Sequence, residues 1–181
     1  MIITKTNLDG TIIIQPQMFD DVRGYFFESY KSSAFLENNL PGNFLQDNQV
    51  KSSKNVIRGL HYQLNKPQGK LVRVISGRIL DVALDIRKNS ATFGEHLMIE
   101  LSDRNKKMLY IPEGFAHGYV SLSEDSIVLY KCTNEYNPSD EHGIKWNDKE
   151  IGIDWKVKNP IISKRDLKLP TLKNQKFLPE L

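Results

Sequence analysis

The sequence holds a single cysteine, Cys132, in 181 residues. One thiol excludes an intramolecular disulfide and a cysteine-built metal cage. No run approaches the roughly 20 apolar residues of a membrane span. The first residues, Met1-Ile-Ile-Thr-Lys-Thr6, have no apolar stretch behind a basic patch, so no secretory leader is expected. Asn137-Pro138-Ser139 is the one Asn-x-Ser/Thr sequence, and its proline blocks glycosylation. Gly-x-Gly-x-x-Gly, the dinucleotide fingerprint, is missing. Charge of one sign is scarce too: 25 Lys+Arg against 22 Asp+Glu leaves +3. Without a dense basic stripe no nucleic-acid partner is expected, although a few cations aimed at phosphates fit this balance. These absences describe a cytoplasmic protein with no membrane partner.

What is present is ordinary for a globular chain: 39% hydrophobic and 26% charged residues. This length suits one domain, residues 1–181, that buries roughly 70% of its unfolded surface. Short β-rich segments with turn punctuation dominate. Thr11–Gln15 follows the turn pair Asp9-Gly10 and stops at Pro16, and the aromatic Gly24–Tyr30 suits a half-buried strand. Lys70–Ser76 and Arg78–Ile86 flank Ser76-Gly77 and read as a tight hairpin. Leu97–Leu101 and Met108–Ile111 are two further strands, and Gly118–Leu122 with Ser126–Thr133 read as another pair. Helix signals are few. Ser32–Leu40 reads as a short helix capped by serine and stopped by Pro41-Gly42, and one helical turn fits Ser163–Leu167. Many strands and few helices predict an all-β sandwich or barrel, with both ends wrapped around its core. Exposed edge strands need covering, and a homodimer that pairs or swaps N-terminal strands meets that need.

The polar groups that carry chemistry are clustered. A jelly-roll metalloprotein would place His-x-His where this chain reads Arg58-Gly-Leu-His-Tyr-Gln63. Gln63 fills the second histidine slot and Lys70 brings a cation near, which disfavours a metal site. A lone strand histidine is usually a satisfied core or surface group. Here Arg58 and Lys70, if they share its cavity, would hold His61 neutral, as a general base requires. Such a base needs a partner, usually a carboxylate, on its other nitrogen, and several carboxylates are available. Arg23, Arg58 and Lys70 each adjoin glycine, which lets a diphosphate approach the backbone; taken singly, Arg23 and Arg58 read as surface charges. Phe26, Tyr130 and Tyr136 read first as core or strand-face residues, although a tyrosine in a polar cavity can also be an acid at pH 7.

Seven motifs stand in order along the chain. They are Asp21-Val-Arg-Gly-Tyr-Phe-Phe-Glu28, Gln46-Asp47-Asn48, Arg58-Gly-Leu-His-Tyr-Gln63, Gln68-Gly69-Lys70, Ile111-Pro-Glu-Gly-Phe-Ala-His-Gly118, Leu129-Tyr-Lys131 and Trp146-Asn147-Asp148. The set resembles the dTDP-4-dehydrorhamnose 3,5-epimerase family over roughly residues 10 to 170. The resemblance implies a metal-free, cofactor-free cupin jelly roll that acts as a homodimer on a dTDP-linked 4-keto-6-deoxy sugar. It implies His61 as base, Asp166 as its paired carboxylate, Tyr130 as the acid on the opposite face and Lys70 as the cation beside the enolate oxygen. It further implies sugar-nucleotide contacts by Arg23, Phe26, Glu28, Gln46, Asp47, Asn48, Arg58, His117, Glu141 and Arg165, with Tyr136 stacked on thymine. Arg165 stands where family members often carry lysine, which keeps the charge and alters the geometry. The loop through Leu64-Asn65-Lys66-Pro67 is one residue shorter than in some relatives. Inversion of a single centre, a metal-dependent cupin enzyme and a noncatalytic sugar-nucleotide binder are the competing expectations.

Overall fold

The computed structural model describes residues 1–180. Two antiparallel sheets lie face to face. One has six strands in the order β1 (Ile2–Lys5), β2 (Ile12–Gln15), β10 (Met108–Ile111), β7 (Lys70–Ser76), β12 (Asp125–Cys132) and β5 (Gln46–Ser53). The other has five, in the order β13 (Glu141–Gly143), β6 (Ile57–Gln63), β11 (Phe115–Ser121), β8 (Arg78–Asp85) and β9 (His96–Ser102). A separate hairpin joins β3 (Phe19–Asp21) to β4 (Gly24–Phe26), and α1 (Ser32–Glu37) is the one α-helix among the described residues. The all-β jelly roll expected from the sequence is what forms.

Period-two alternation sorts the side chains into layers. Val72 and Val74 of β7, Leu109 and Ile111 of β10, Val128 of β12 and Ile79 and Ala83 of β8 meet between the sheets. Their neighbours Leu71, Met108 and Tyr110 point the other way, onto Phe35 and Leu40 at the helix. Across the molecule Leu60, Tyr62, Val82, Leu84, Ala116 and Val120 face outward from the five-stranded sheet and are covered by Ile144, Ile151 and Trp155. Central strands buried on both faces therefore read as nearly unbroken apolar runs. Each fully buried aliphatic or aromatic side chain contributes about 1.5–3 kcal/mol. Asp148, from the Trp-Asn-Asp motif, clamps the C-terminal cover by accepting the Leu172 N–H at 2.7 Å.

Several local expectations are corrected. Lys70–Ser76 and Arg78–Ile86 do not form a hairpin: β7 pairs with β10 and β12, and β8 with β9 and β11. Gly77 carries the chain from one sheet to the other with φ +79, and a Cβ there would lie 2.4 Å from the Asp125 carbonyl oxygen. Likewise β11 and β12 belong to opposite sheets. A short turn between two strands looks the same in sequence whether the strands pair or the chain crosses a sandwich. The strand expected over Gly24–Tyr30 ends at Phe26. Ser32 does not cap α1; Lys31 occupies the cap position, and the Ser32 hydroxyl donates to the Gly42 carbonyl at 2.6 Å. The expected turn near Ser163 is a 3-10 turn over Asp166–Lys168.

Candidate active site

The apolar filling between the sheets stops at one end, where a cavity of about 620 Å³ opens. The same inner rows that build the core continue into it. On β7 the row Val74, Val72 ends in Lys70, and on β12 Val128 leads to Tyr130 and Cys132. Strand β5 had no apolar pattern to betray it, because its inner row, Gln46, Asn48 and Val50, faces the cavity rather than the core. Its outer row includes Asp47, which points away and pairs with Lys131 at 2.9 Å.

On the opposite wall β6 bears Arg58 and His61, three residues apart and yet both lining the cavity. An irregularity in the ladder permits this: His117 of β11 is opposite His61, and Tyr119 is opposite Arg58. Two glycines make the bulge possible. A Cβ on Gly59, whose φ is +110, would lie 2.6 Å from both the Gly118 Cα and the His117 carbonyl oxygen. The Arg58 Nε donates to Ser52 Oγ at 3.0 Å, and that hydroxyl is 2.9 Å from the Tyr119 hydroxyl.

His61 has a carboxylate on each side. Its Nε2 lies 2.7 Å from Asp166 Oδ1, and its Nδ1 is 3.8 Å from Glu141 Oε1. Asp166 is far away in sequence and arrives through the chain's return: Ile161 bridges to Val56, and the 3-10 turn then tucks the carboxylate under β6. Burial pushes the Asp166 carboxyl up, but hydrogen bonds from His61, the Gly59 N–H and Ser163, with the His61 charge, hold it below the usual carboxylate value. With Nε2 donating to Asp166, Nδ1 is left with its lone pair free.

Lys70 and Tyr130 enter from the six-stranded sheet. Lys70 is 8% exposed, and its Nζ reaches across to donate to the His61 carbonyl at 3.4 Å. Burial lowers its pKa, against the pull of the Glu141 and Asp81 carboxylates. Burial pushes the Tyr130 phenol up to about 12, so it is protonated at neutral pH. At the mouth, Glu141 Oε2 accepts from the Tyr136 hydroxyl and from Arg165 at 2.6 Å. Gln46 Oε1 accepts the Tyr136 N–H at 2.7 Å, and Gln46 Nε2 donates to Asn48 Oδ1 at 2.8 Å.

The structure thus gathers Gln46, Asn48, Arg58, His61, Lys70, His117, Tyr130, Tyr136, Glu141, Arg165 and Asp166 on one cavity. Arg23, Phe26 and Glu28 do not line it. They are exposed in and just after the β3–β4 hairpin, where Arg23 pairs with Asp21. The sequence reading missed Ser52, Asp81 and Tyr119. Asp81 lies within the apolar run Ile79–Ile86, and a carboxylate in such a run was the available signal. Gln63 is occupied in tying loops together: its amide nitrogen donates to the Lys66 carbonyl and its oxygen accepts the Asn137 N–H, both at 2.7 Å. Among the described residues no cluster of three or more His, Cys, Asp or Glu side chains has a metal-holding arrangement.

Residues 5–174 match the family described as dTDP-4-dehydrorhamnose 3,5-epimerase. The chain belongs to this family. The dTDP-4-dehydrorhamnose 3,5-epimerase of Methanothermobacter thermautotrophicus is 54% identical over 165 residues, 90% of this chain and 89% of that protein. The enzyme of the same name from Salmonella typhimurium is 50% identical over 185 residues, covering 99% of this chain and all (100%) of the relative. Among solved structures, the dTDP-6-deoxy-D-glucose-3,5-epimerase of Legionella pneumophila in complex with dTDP-4-keto-L-rhamnose superposes with a TM-score of 0.96 at 40% identity, over 99% of this chain and 98% of that one. Family membership makes the chain an isomerase of the epimerase class.

Proposed function

We propose that this 3,5-epimerase converts dTDP-4-keto-6-deoxy-D-glucose to dTDP-4-keto-L-rhamnose, in dTDP-L-rhamnose biosynthesis. The observation that carries the mechanism is that a histidine and a tyrosine enter one cavity from facing sheets. The C4 ketone acidifies the hydrogens at C3 and C5. At each centre His61 Nδ1 takes the proton, the C–H electron pair moves into the enolate, and the charge gathers on the C4 oxygen. Tyr130 then delivers its phenolic proton to the other face of the same carbon, so the centre inverts and no atom is gained or lost. Solvent exchange resets both groups for the second centre. Asp166 holds the His61 tautomer and offsets the charge of the imidazolium. Lys70, itself buried in the cavity wall, stabilises the enolate oxygen.

Arg58 supplies a guanidinium for the diphosphate, and Tyr136, held by Glu141 and Gln46, offers a ring to the thymine. The chemistry moves only protons and requires no redox cofactor. Arg23, Phe26 and Glu28 reach a nucleotide only if the exposed hairpin enters the cavity of a second copy. The exposed apolar side chains Phe19, Val22, Tyr25 and Phe26 on that hairpin support a homodimer. The lone buried thiol fits a cytoplasmic enzyme.

The test is turnover in D₂O followed by NMR. Deuterium at both C3 and C5 is expected. Label at one centre alone reduces the enzyme to a single-centre epimerase, and label at neither refutes proton abstraction. His61→Ala that turns over like the parent would remove the base assignment.

A further inference from the structure

Asp81 is fully buried on the inner row of β8. One oxygen, Oδ1, lies 2.8 Å from His117 Nε2. The other, Oδ2, is the only buried side-chain nitrogen or oxygen among the described residues without a hydrogen-bond partner. An orphaned carboxylate oxygen in a low-dielectric interior is unfavourable, and its presence calls for a use. Its neighbours on the same inner row of β8, Ile79 and Ala83, belong to the apolar layer between the sheets.

Two cavity groups feel this carboxylate. His117 is joined to it directly and is itself 7% exposed. Lys70 belongs to the opposite sheet, and its ammonium makes a single long contact, to the His61 carbonyl at 3.4 Å. To make that contact Lys70 must lean across the space between the sheets, away from its own strand and toward the wall that carries Asp81 and His61. The charge of Asp81 acts on Lys70 in the sense that favours the ammonium, alongside that of Glu141. Glu141 is already engaged by Arg165 and Tyr136, whereas Asp81 Oδ2 is free.

We propose that Asp81 is a positioning residue for the epimerisation, orienting His117 through one oxygen and serving through the other as the countercharge that draws the Lys70 ammonium across the cavity to the C4 oxygen. The proposal rests on the epimerase reading above. It adds a second histidine–carboxylate pair to the site, distinct in task from His61–Asp166: the first pair moves a proton, and this one places positive charge. Asp81 touches neither substrate nor reacting atom, and it acts through Lys70 and His117.

Asp81→Asn keeps the shape and removes the charge. Its expected effect is a fall in kcat of about 10- to 100-fold, less than the roughly 10²- to 10³-fold loss when an oxyanion-stabilising group is itself deleted. KM and the affinity for dTDP should stay within about threefold, and the thermal midpoint should not fall, since the substitution removes a buried charge and keeps the oxygen that pairs with His117. In a Lys70→Met background the same change should lower kcat by less than about threefold, because groups acting as one unit are not additive. An unchanged kcat in Asp81→Asn overturns the proposal. So does a parallel loss of kcat, dTDP affinity and thermal midpoint, which marks a structural role, or a full loss repeated in the Lys70→Met background. If Asp81→Asn does not fold, Asp81→Ser is read by the same criteria; collapse of both variants assigns Asp81 to the fold and likewise overturns the proposal. The unmutated enzyme is assayed alongside: failure to exchange deuterium there refutes the epimerase reading, whereas an active parent with an unimpaired variant refutes Asp81 alone.

Discussion

Replacing Lys70 by methionine separates the two things this side chain does. The residue is 8% exposed and ends the inner row of β7, so methionine, of similar length and volume, fills its place without a void. The ammonium it removes has one contact, at 3.4 Å, and no paired carboxylate within salt-bridge distance. If that ammonium stabilises the enolate, kcat falls about 10²- to 10³-fold, or roughly 3–4 kcal/mol in the barrier, with KM little changed. Stability moves the other way. Burial lowers the Lys70 pKa beneath its ordinary 10.5 in spite of the nearby negative charge. A lysine with a lowered folded-state pKa destabilises the fold while both states are protonated, and that penalty fades as pH rises from the folded value toward 10.5. Lys70→Met should therefore be more stable at pH 7, by about 1–4 kcal/mol as for other buried charges replaced by apolar groups. The gain should shrink as pH approaches 10.5. Steady-state kinetics and urea titrations at several pH values measure both effects. An unaltered kcat, a loss confined to KM, or a stability gain that does not depend on pH would refute the reasoning.

Two other outcomes follow from the same geometry. The Asp166 carboxyl sits below its ordinary 3.8, so it contributes stability at pH values above 3.8 that is lost as pH falls through its folded value; Asp166→Asn should flatten that part of the acid limb of a urea-midpoint profile, and an unchanged limb would contradict the His61–Asp166 pairing. Gly59→Ala combines a φ of +110 with a 2.6 Å approach to β11, and strain plus overpacking should destabilise by about 2–5 kcal/mol while displacing Arg58 and His61, so an undisturbed unfolding midpoint and kcat would count against the bulge.

Legibility varied with what each residue had to face. Central strands such as β7 and β8 announced themselves because both of their faces are buried in hydrocarbon. Strand β5 did not, because its inner face meets a polar cavity and its outer face is largely exposed, so neither row is apolar. Arg58, His61, Lys70 and Tyr130 stood out as polar side chains in otherwise regular strand segments. Ser52 and Tyr119 looked unremarkable, since their importance lies in the hydrogen bonds that hold Arg58. Asp47 shares a motif with Gln46 and Asn48, but period-two alternation turns it outward onto Lys131.

The amino-acid sequence alone determined the strand-rich character, the apolar rows of the core and the motif order that marks the family, because these follow from local alternation and residue identity. Only the tertiary structure decided that the turn at Ser76-Gly77 crosses between sheets instead of closing a hairpin. It alone brought Asp166 beneath His61 across 105 positions of chain, and it left Asp81 Oδ2 without a donor. Each of those facts depends on which surfaces meet in space, and meeting is settled by packing two twisted sheets around one core, a condition that no stretch of neighbouring residues contains.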